Sequence, residues 1–312
     1  MTQLMIGTVG SPAMLTGDLG TRKALVRRVC DSAIDHIFIA DHISFHTGMG
    51  MDGLVNAATL TAMESGYKVL IGVYLLALRH PVPVARQLSS LSQSAPGRIV
   101  LGVGVGGEDR HEMEICGVDP ARRGVHTDHA LQALRGLLSG QPTSYACDFF
   151  DFDDALIKPS PKPAIPIVVG GRADAALRRA AKYGDGWLGI WSSIDRYRQV
   201  VGQMDQLATE QGRRVESWQH GLQLWVGTAD TQAEARSYVA RGMEEFYQVP
   251  FEKFERYSPF GTPQDIADYL TPYVAAGAHT LNLAPRGPDE SYAIDAVAEV
   301  ARLLKHRFPE LA

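Results

Sequence analysis

Residues 165–191 read IPIVVGGRADAALRRAAKYGDGWLGIW. The β-branched run Ile167–Val169 is typical of a strand that is buried on both faces of a parallel sheet. A helical apolar pattern begins at Ala173, Gly184 marks a helix end that favours a left-handed residue, and a second strand is predicted at Gly186–Ile190. The stretch therefore predicts a parallel βαβ unit.

The turn of this unit, Gly170-Gly171-Arg172, has the composition of an anion site. Glycines let the backbone approach a ligand, and the first N–H groups of a helix lack intrahelical partners. Those amides, the helix dipole and the Arg172 guanidinium together favour a phosphate. A tight turn with a solvent-exposed arginine is the structural alternative.

Composition and charge exclude several classes of function. The chain has 312 residues, 45% of them hydrophobic, and a net charge of −5, which predicts a globular protein with a large core. No block of Lys and Arg is present, which argues against nucleic-acid or anionic-membrane partners. Because neither a secretion signal nor a long apolar segment is recognised, we expect a cytoplasmic location. Three separated cysteines fit neither a disulfide framework nor a zinc site.

Strand-like and helix-like segments alternate along the whole chain, which predicts one domain over residues 1–312. The predicted strands are Leu4–Val9, Ile37–Ala40, Val69–Leu76, Ile99–Val105, Ile167–Val169, Gly186–Ile190, Leu222–Val226 and Thr280–Ala284. Eight βα units favour an α/β fold of the single TIM (βα)8 barrel type, with short insertions at the C-terminal face. A doubly wound open sheet is the alternative, but it usually has fewer strands.

Two stretches are long for simple connections. Residues 142–163 alternate turn and strand signals and predict a small hairpin. Residues 246–261 interleave six aromatic side chains with charges. They form either a lid over the site or a satellite core under a loop.

In a barrel of this kind, catalytic residues lie at the C-terminal ends of the strands. The second strand ends in Asp41-His42, where an imidazole could exchange a proton; a loop cap and a packed ring are the alternative roles. Tyr74 and Leu75 at the third strand suit a planar ring or the barrel core. After the fourth strand, Glu108 is either an acid/base group or a helix-start residue. His126, Asp128 and His129 lie in a predicted helix, so no metal site is predicted.

Three segments resemble the bacterial-luciferase-like family, in particular its deazaflavin-using oxidoreductases. They are ADH at 40–42, the stretch at 79–124 that begins RHPVPVARQ, and VVGGRADAALRRAAKYGDGWLG at 168–189. The resemblance implies a TIM barrel that binds coenzyme F420 or FMN, with its phosphate at Gly170, Gly171 and Arg172. It also implies that Gly104, Val105 and Gly106 flank the ring, and that a non-prolyl cis peptide lies at Tyr74-Leu75 and presses on the ring.

The implied activity is hydride transfer between F420 and a small organic substrate, with His42 exchanging the proton and Asp41 holding its tautomer. Glu108 is the second implied catalytic residue, although the glycine run before it is one residue longer than the Gly-x-Gly-Glu pattern of several deazaflavin enzymes. An FMN-dependent monooxygenase and a non-catalytic cofactor-binding protein are the alternatives. A metal-dependent hydrolase lacks a convincing ligand set. The resemblance also implies a homodimer.

Overall fold

The computed structural model describes residues 3–46, 48–107 and 109–312. The strands are β1 Met5–Val9, β2 His36–Ile39, β3 His42–Phe45, β4 Met49–Met51, β5 Lys68–Tyr74, β6 Ile99–Val103, β7 Thr143–Ala146, β8 Asp151–Ala155, β9 Ile167–Gly170, β10 Gly186–Ile190, β11 Gly221–Thr228, β12 Phe260–Gly261 and β13 Thr280–Arg286. The α-helices are α1 Pro12–Thr16, α2 Leu19–Cys30, α3 Gly53–Met63, α4 Pro81–Ser94, α5 Arg110–Glu114, α6 Arg123–Leu138, α7 Asp174–Tyr183, α8 Ile194–Glu210, α9 Gln232–Tyr247, α10 Pro263–Ala275 and α11 Glu290–Arg307.

Eight parallel strands close into a barrel, which confirms the predicted fold. The order is β10-β9-β6-β5-β2-β1-β13-β11, and pairing between β10 and β11 completes the circle. The predicted βαβ unit is β9-α7-β10, with Val168 opposite Gly186 in register. Because all eight strands run the same way, their C-terminal ends form one rim, where the connecting loops meet.

One prediction within this unit is wrong. Gly184 follows α7 with φ −91°, an extended rather than a left-handed conformation. Its missing side chain serves a close approach instead, because a Cβ there would lie 2.8 Å from the carbonyl oxygen of Ala180.

The barrel interior has an apolar layer and a polar layer. The apolar layer takes one side chain from each of seven strands: Phe38, Leu70, Val100, Val168, Leu188, Trp225 and Ala284. Side chains two residues apart on a strand share a face. Consequently His36, Gln223 and Asn282, each two residues before a member of that layer, also point inward. These three form a hydrogen-bonded chain.

Two buried histidines predict that the stability of the barrel depends on pH. Burial lowers the pKa of both His36 and His220 to about 4, so both are neutral in the folded chain at pH 7. In the unfolded chain, a histidine takes up a proton below about pH 6.5. Stability is therefore full above pH 6.5 and is lost as the pH falls from 6.5 towards 4, by roughly 3 kcal/mol per histidine.

We expect urea unfolding to show a lower free energy of unfolding at pH 5 than at pH 7. The Nδ1 of His220 accepts from the backbone N–H of Trp187 at 3.1 Å. In His220→Asn, the asparagine can still accept this bond, but it cannot titrate. This variant should depend less steeply on pH. An unchanged pH dependence would contradict the assignment to His220.

The structure confirms the hairpin predicted at 142–163, where β7 and β8 pair antiparallel. It adds a hairpin that the sequence analysis missed, β3–β4, directly after β2. The 246–261 segment begins inside α9 and continues in two short 3-10 turns, Phe251–Lys253 and Glu255–Tyr257. Phe251 is fully buried and belongs to one apolar cluster with Val239, Met243 and the side chains of the barrel interior, so this part of the segment packs on the core and not in a separate satellite. The lid remains a prediction.

Over the described ranges, no helix is both long and apolar enough to cross a membrane. In the same part of the chain, no three His, Cys, Asp or Glu side chains are grouped to hold a metal ion. The three residues predicted to be poor metal ligands have other partners. His126 stacks on Phe149, Asp128 pairs with Arg179, and His129 lies 2.8 Å from the Tyr145 hydroxyl.

Candidate cofactor and catalytic site

A narrow slot of about 150 Å³ opens at the C-terminal rim of the barrel. It is lined by Gly72, Val73, Gly104, Val105, Gly106, Gly170, Gly171, Leu188, Ile190 and Gln223. Five of the predicted cofactor residues therefore share one cavity, although they come from two separate strand ends. Whether they hold a cofactor stays a prediction.

Backbone forms much of the slot wall. A Cβ on Gly104 would lie 2.3 Å from the Cγ2 of Val73, and one on Gly170 would lie 2.8 Å from the Cγ1 of the same valine. Any larger residue at either position would clash with the side chain of Val73. Five of the ten lining residues are glycine and four are aliphatic, so the cavity presents backbone and apolar surface, which fits the ring of the predicted class of cofactor.

The end of β5 differs from the prediction. Tyr74 and Leu75 are buried but do not line the slot; Gly72 and Val73 do. Tyr74 instead packs in the outer core, where the Arg79 guanidinium stands 4.4 Å from its ring centre. The non-prolyl cis peptide is also displaced, from the predicted Tyr74-Leu75 to Gly72-Val73. The predicted position was two residues too far along the chain, and the cis bond lies where the pairing of β5 with β6 is irregular, between Ile71 and Tyr74.

The helix that follows the glycine turn lacks a side-chain cap. Ala173 occupies the N-cap position of α7 and has no oxygen to accept from the first amides. Most other helices begin with a side chain that accepts from their first N–H groups: Ser11, Asp18, Asp52, His80, Asp109, Ser193, Thr231, Thr262 and Asp289. No side chain caps the N–H groups of Asp174 and Ala175, so these two are available for an anion, whereas the Ala176 N–H donates to the Ala173 carbonyl oxygen at 2.8 Å.

The turn itself is rigidly held. The indole N–H of Trp187 donates to the Gly171 carbonyl oxygen at 2.7 Å. Gly171 has φ +133°, and a Cβ there would lie 2.7 Å from the Cβ of Ala176, so only glycine fits. Arg172 is exposed, with its guanidinium 4.9 Å from the ring centre of Trp191. The structure thus places the three predicted phosphate residues beside the open helix end.

His42 lies at the start of the β3–β4 hairpin and is held by a residue that the sequence analysis did not identify. Its Nδ1 is 3.0 Å from the Oε2 of Glu112 on α5. Glu112 is only 2% exposed, and its Oε1 also accepts the backbone N–H groups of Ile43 and Ser44 at 2.6 and 3.1 Å. A carboxylate can only accept, so Nδ1 carries a proton and Nε2 is the ring nitrogen that Glu112 leaves unoccupied.

Asp41 does not hold the tautomer of His42, and that expectation is wrong. Its carboxylate makes a bidentate pair with Arg79 at 2.6 and 2.8 Å and accepts the N–H groups of Gly53 and Leu75. Asp41 is 1% exposed, so the pair is buried. Through these four contacts, Asp41 holds the end of β5 and the start of α3 at the rim.

Glu108, the third predicted catalytic residue, lies outside the described residues. Its neighbour Asp109 caps α5 and accepts the His46 N–H at 2.7 Å. The α5 segment therefore holds the β3–β4 hairpin through two carboxylates, Asp109 and Glu112.

Aromatic rings continue from His42 along the rim. Ring centres are 4.3 Å apart between His42 and Phe45, 5.3 Å between Phe45 and Phe246, and 5.7 Å between Phe246 and Trp225. Phe246 is 38% exposed, unlike the buried Phe251. The predicted lid segment thus contributes one accessible ring to the wall that begins at His42.

The comparisons with known proteins agree with this architecture. The profile described as luciferase-like monooxygenase matches residues 4–259. An F420-dependent glucose-6-phosphate dehydrogenase of Nakamurella multipartita is 27% identical over 164 residues, 51% of this chain and 48% of that protein. An FMNH2-dependent dimethylsulfone monooxygenase of Pseudomonas fluorescens is 26% identical over 210 residues, 65% of this chain and 56% of that protein.

The chain spans about half the length of the curated relatives that it matches. A solved F420-dependent secondary alcohol dehydrogenase, in complex with an F420-acetone adduct, superposes with a TM-score of 0.83 at 18% identity, over 97% of this chain and 99% of that one. A likeness at this identity concerns the fold. Together with the profile match, it leads to one conclusion: the chain belongs to the luciferase-like monooxygenase family.

Proposed function

We propose that the chain is an oxidoreductase that uses coenzyme F420 to exchange a hydride with a small organic substrate. The observation that carries the proposal is the backbone-walled slot directly beside the uncapped start of α7. The slot suits a flat ring, and the helix start with Arg172 suits a phosphate. Similarity to an F420-dependent dehydrogenase supports the choice of cofactor.

In this proposal, the cofactor supplies the ring carbon that takes up or gives the hydride. The residues of the chain bind the ring and exchange the proton. Gly104, Val105, Gly106, Gly170 and Gly171 hold the ring and exclude water from its faces. His42 exchanges the reaction proton at Nε2, because its Nδ1 donates to Glu112.

A second candidate is an FMN-dependent monooxygenase, which the similarity to an FMNH2-dependent enzyme favours. Both cofactors have a flat ring and a phosphate, so the slot suits either. Titration of the purified chain with F420 and, separately, with FMN distinguishes them by absorbance and fluorescence. Tighter binding of F420 supports the proposal, tighter binding of FMN supports the alternative, and binding of neither overturns both. Tight binding without turnover would indicate a non-catalytic cofactor-binding protein.

Arg172→Ala should weaken binding of whichever cofactor the titration selects. Loss of a charge-assisted hydrogen bond costs about 1.5–3 kcal/mol, which raises Kd roughly 10- to 100-fold. Arg178 is an exposed arginine on α7, the helix that follows Arg172, and provides the matched control. Arg178→Ala should leave Kd unchanged. Equal effects of the two substitutions would remove Arg172 from the phosphate site.

A further inference from the structure

The slot contains one polar side chain, that of Gln223. The other lining residues are glycine, valine, leucine and isoleucine. An amide side chain in such a wall orients a bound ligand, because a hydrogen bond to it is directional. The proposed function does not yet assign it a role.

Gln223 is held by a chain of two hydrogen bonds inside the barrel. The Nε2 of His36 is 2.7 Å from the Oδ1 of Asn282, and the Nδ2 of Asn282 donates to the Oε1 of Gln223 at 3.2 Å. His36 and Asn282 are 1% and 0% exposed. Gly72 contributes space, since a Cβ there would lie 3.0 Å from the same Oε1.

His36, at the buried end of these two hydrogen bonds, sets which atoms donate and which accept. His36 is neutral at pH 7, because burial lowers its pKa to about 4, and it therefore carries one ring proton. Its Nδ1 has no partner in the described part of the chain. A proton there would be an orphaned buried donor, which folded proteins rarely contain. The proton is thus on Nε2, Asn282 accepts it through Oδ1, and Asn282 donates onward through Nδ2.

It follows that Gln223 turns its carbonyl oxygen inward and its NH2 group towards the slot. No acceptor within the described ranges bonds to that NH2 group. The slot therefore contains a hydrogen-bond donor whose orientation is set by Asn282 and His36. A donor that is fixed in advance stabilises negative charge where it develops, without reorganisation at that moment.

We propose that Gln223 is a further cofactor-binding residue, whose amide N–H donates to an acceptor atom on the edge of the bound ring, and that Asn282 and His36 are its positioning residues. The proposal rests on the proposed function. Reduction adds electron density to the acceptor atoms of a flavin-type ring. Gln223 consequently favours the reduced cofactor over the oxidised one.

Gln223→Met tests this directly, because methionine has the same length but no donor. Kd is measured for the oxidised and the reduced form of the cofactor that binds the wild-type chain, by fluorescence or absorbance titration under anaerobic conditions. We expect Kd for the reduced form to rise about tenfold more than Kd for the oxidised form. That ratio corresponds to a potential of the bound cofactor about 30 mV lower.

Asn282→Leu is the second variant, and it leaves Gln223 in place while removing the donor that orients it. We expect a change in the same direction, with circular dichroism confirming the fold. Gln206→Leu, on the exposed face of α8, is the control and should change neither Kd. Wild-type affinities for both redox forms in Gln223→Met would overturn the proposal. If wild-type protein binds neither cofactor, the proposed function fails first and this inference with it.

Discussion

Replacement of His42 by alanine is expected to lower kcat by about 100- to 10,000-fold, the usual contribution of a positioned acid/base group. Cofactor binding should persist, because the slot is lined by other residues. The measurement is steady-state turnover, followed at the cofactor absorbance. The substrate is the alcohol, ketone or sugar phosphate that proves active in a screen of the wild-type chain.

Two further variants make this test specific. His111→Ala removes an exposed histidine from α5 and should leave kcat unchanged. Glu112→Gln preserves the shape of the residue that holds Nδ1 but removes its charge, so kcat should fall less than in His42→Ala and its pH profile should shift. Turnover close to wild type in His42→Ala would exclude His42 from the chemistry.

Arg79→Leu is expected to destabilise the fold by about 3–5 kcal/mol, because it leaves the Asp41 carboxylate buried without a charged partner. The side chain of Asp41 is fully buried, and that of Arg79 is 15% exposed. Urea unfolding of the purified variant, with the free energy extrapolated to water, measures the loss. The effect concerns stability of the rim and is separate from catalysis.

The matched control is Arg28→Leu. Arg28 makes a bidentate pair with Asp295, but on the surface, with side chains 43% and 55% exposed. Exposed pairs contribute about 0.2–1 kcal/mol, so this substitution should have little effect. If both arginine variants lose the same free energy, burial is not what makes the Asp41 pair strong.

The sequence was informative where local pattern and global fold agree. The run Ile167–Val169, the glycine turn and the apolar side of α7 each indicated the same βαβ unit, and the structure contains it. The regular alternation of elements was enough to predict a closed barrel. The location of the site could then be predicted, because a parallel barrel brings all its strand ends to one rim. Gly104 and Gly170 accordingly share a cavity.

Contacts between side chains that are far apart in the chain could not be predicted from the sequence. Glu112 is one of several charged residues in EDRHEME, and nothing local distinguishes it, although His42 lies 70 positions away. The role of Asp41 was misread for the same reason, since its partner Arg79 comes from the next strand end. Gln223 has no local signal either; only the register of β11 and β13 brings it to Asn282.

The contacts of α5 with the β3–β4 hairpin have a consequence for protein engineering. Asp109 and Glu112 hold residues 42–46 through backbone amides and one imidazole, so the two segments behave as a single module assembled from separate stretches of the chain. Grafting residues 109–114 alone into a related barrel would leave the Glu112 carboxylate and the Oδ2 of Asp109 without these partners, and grafting residues 41–52 alone would leave four N–H donors without theirs. Chimaeras should exchange residues 41–52 and 109–114 together.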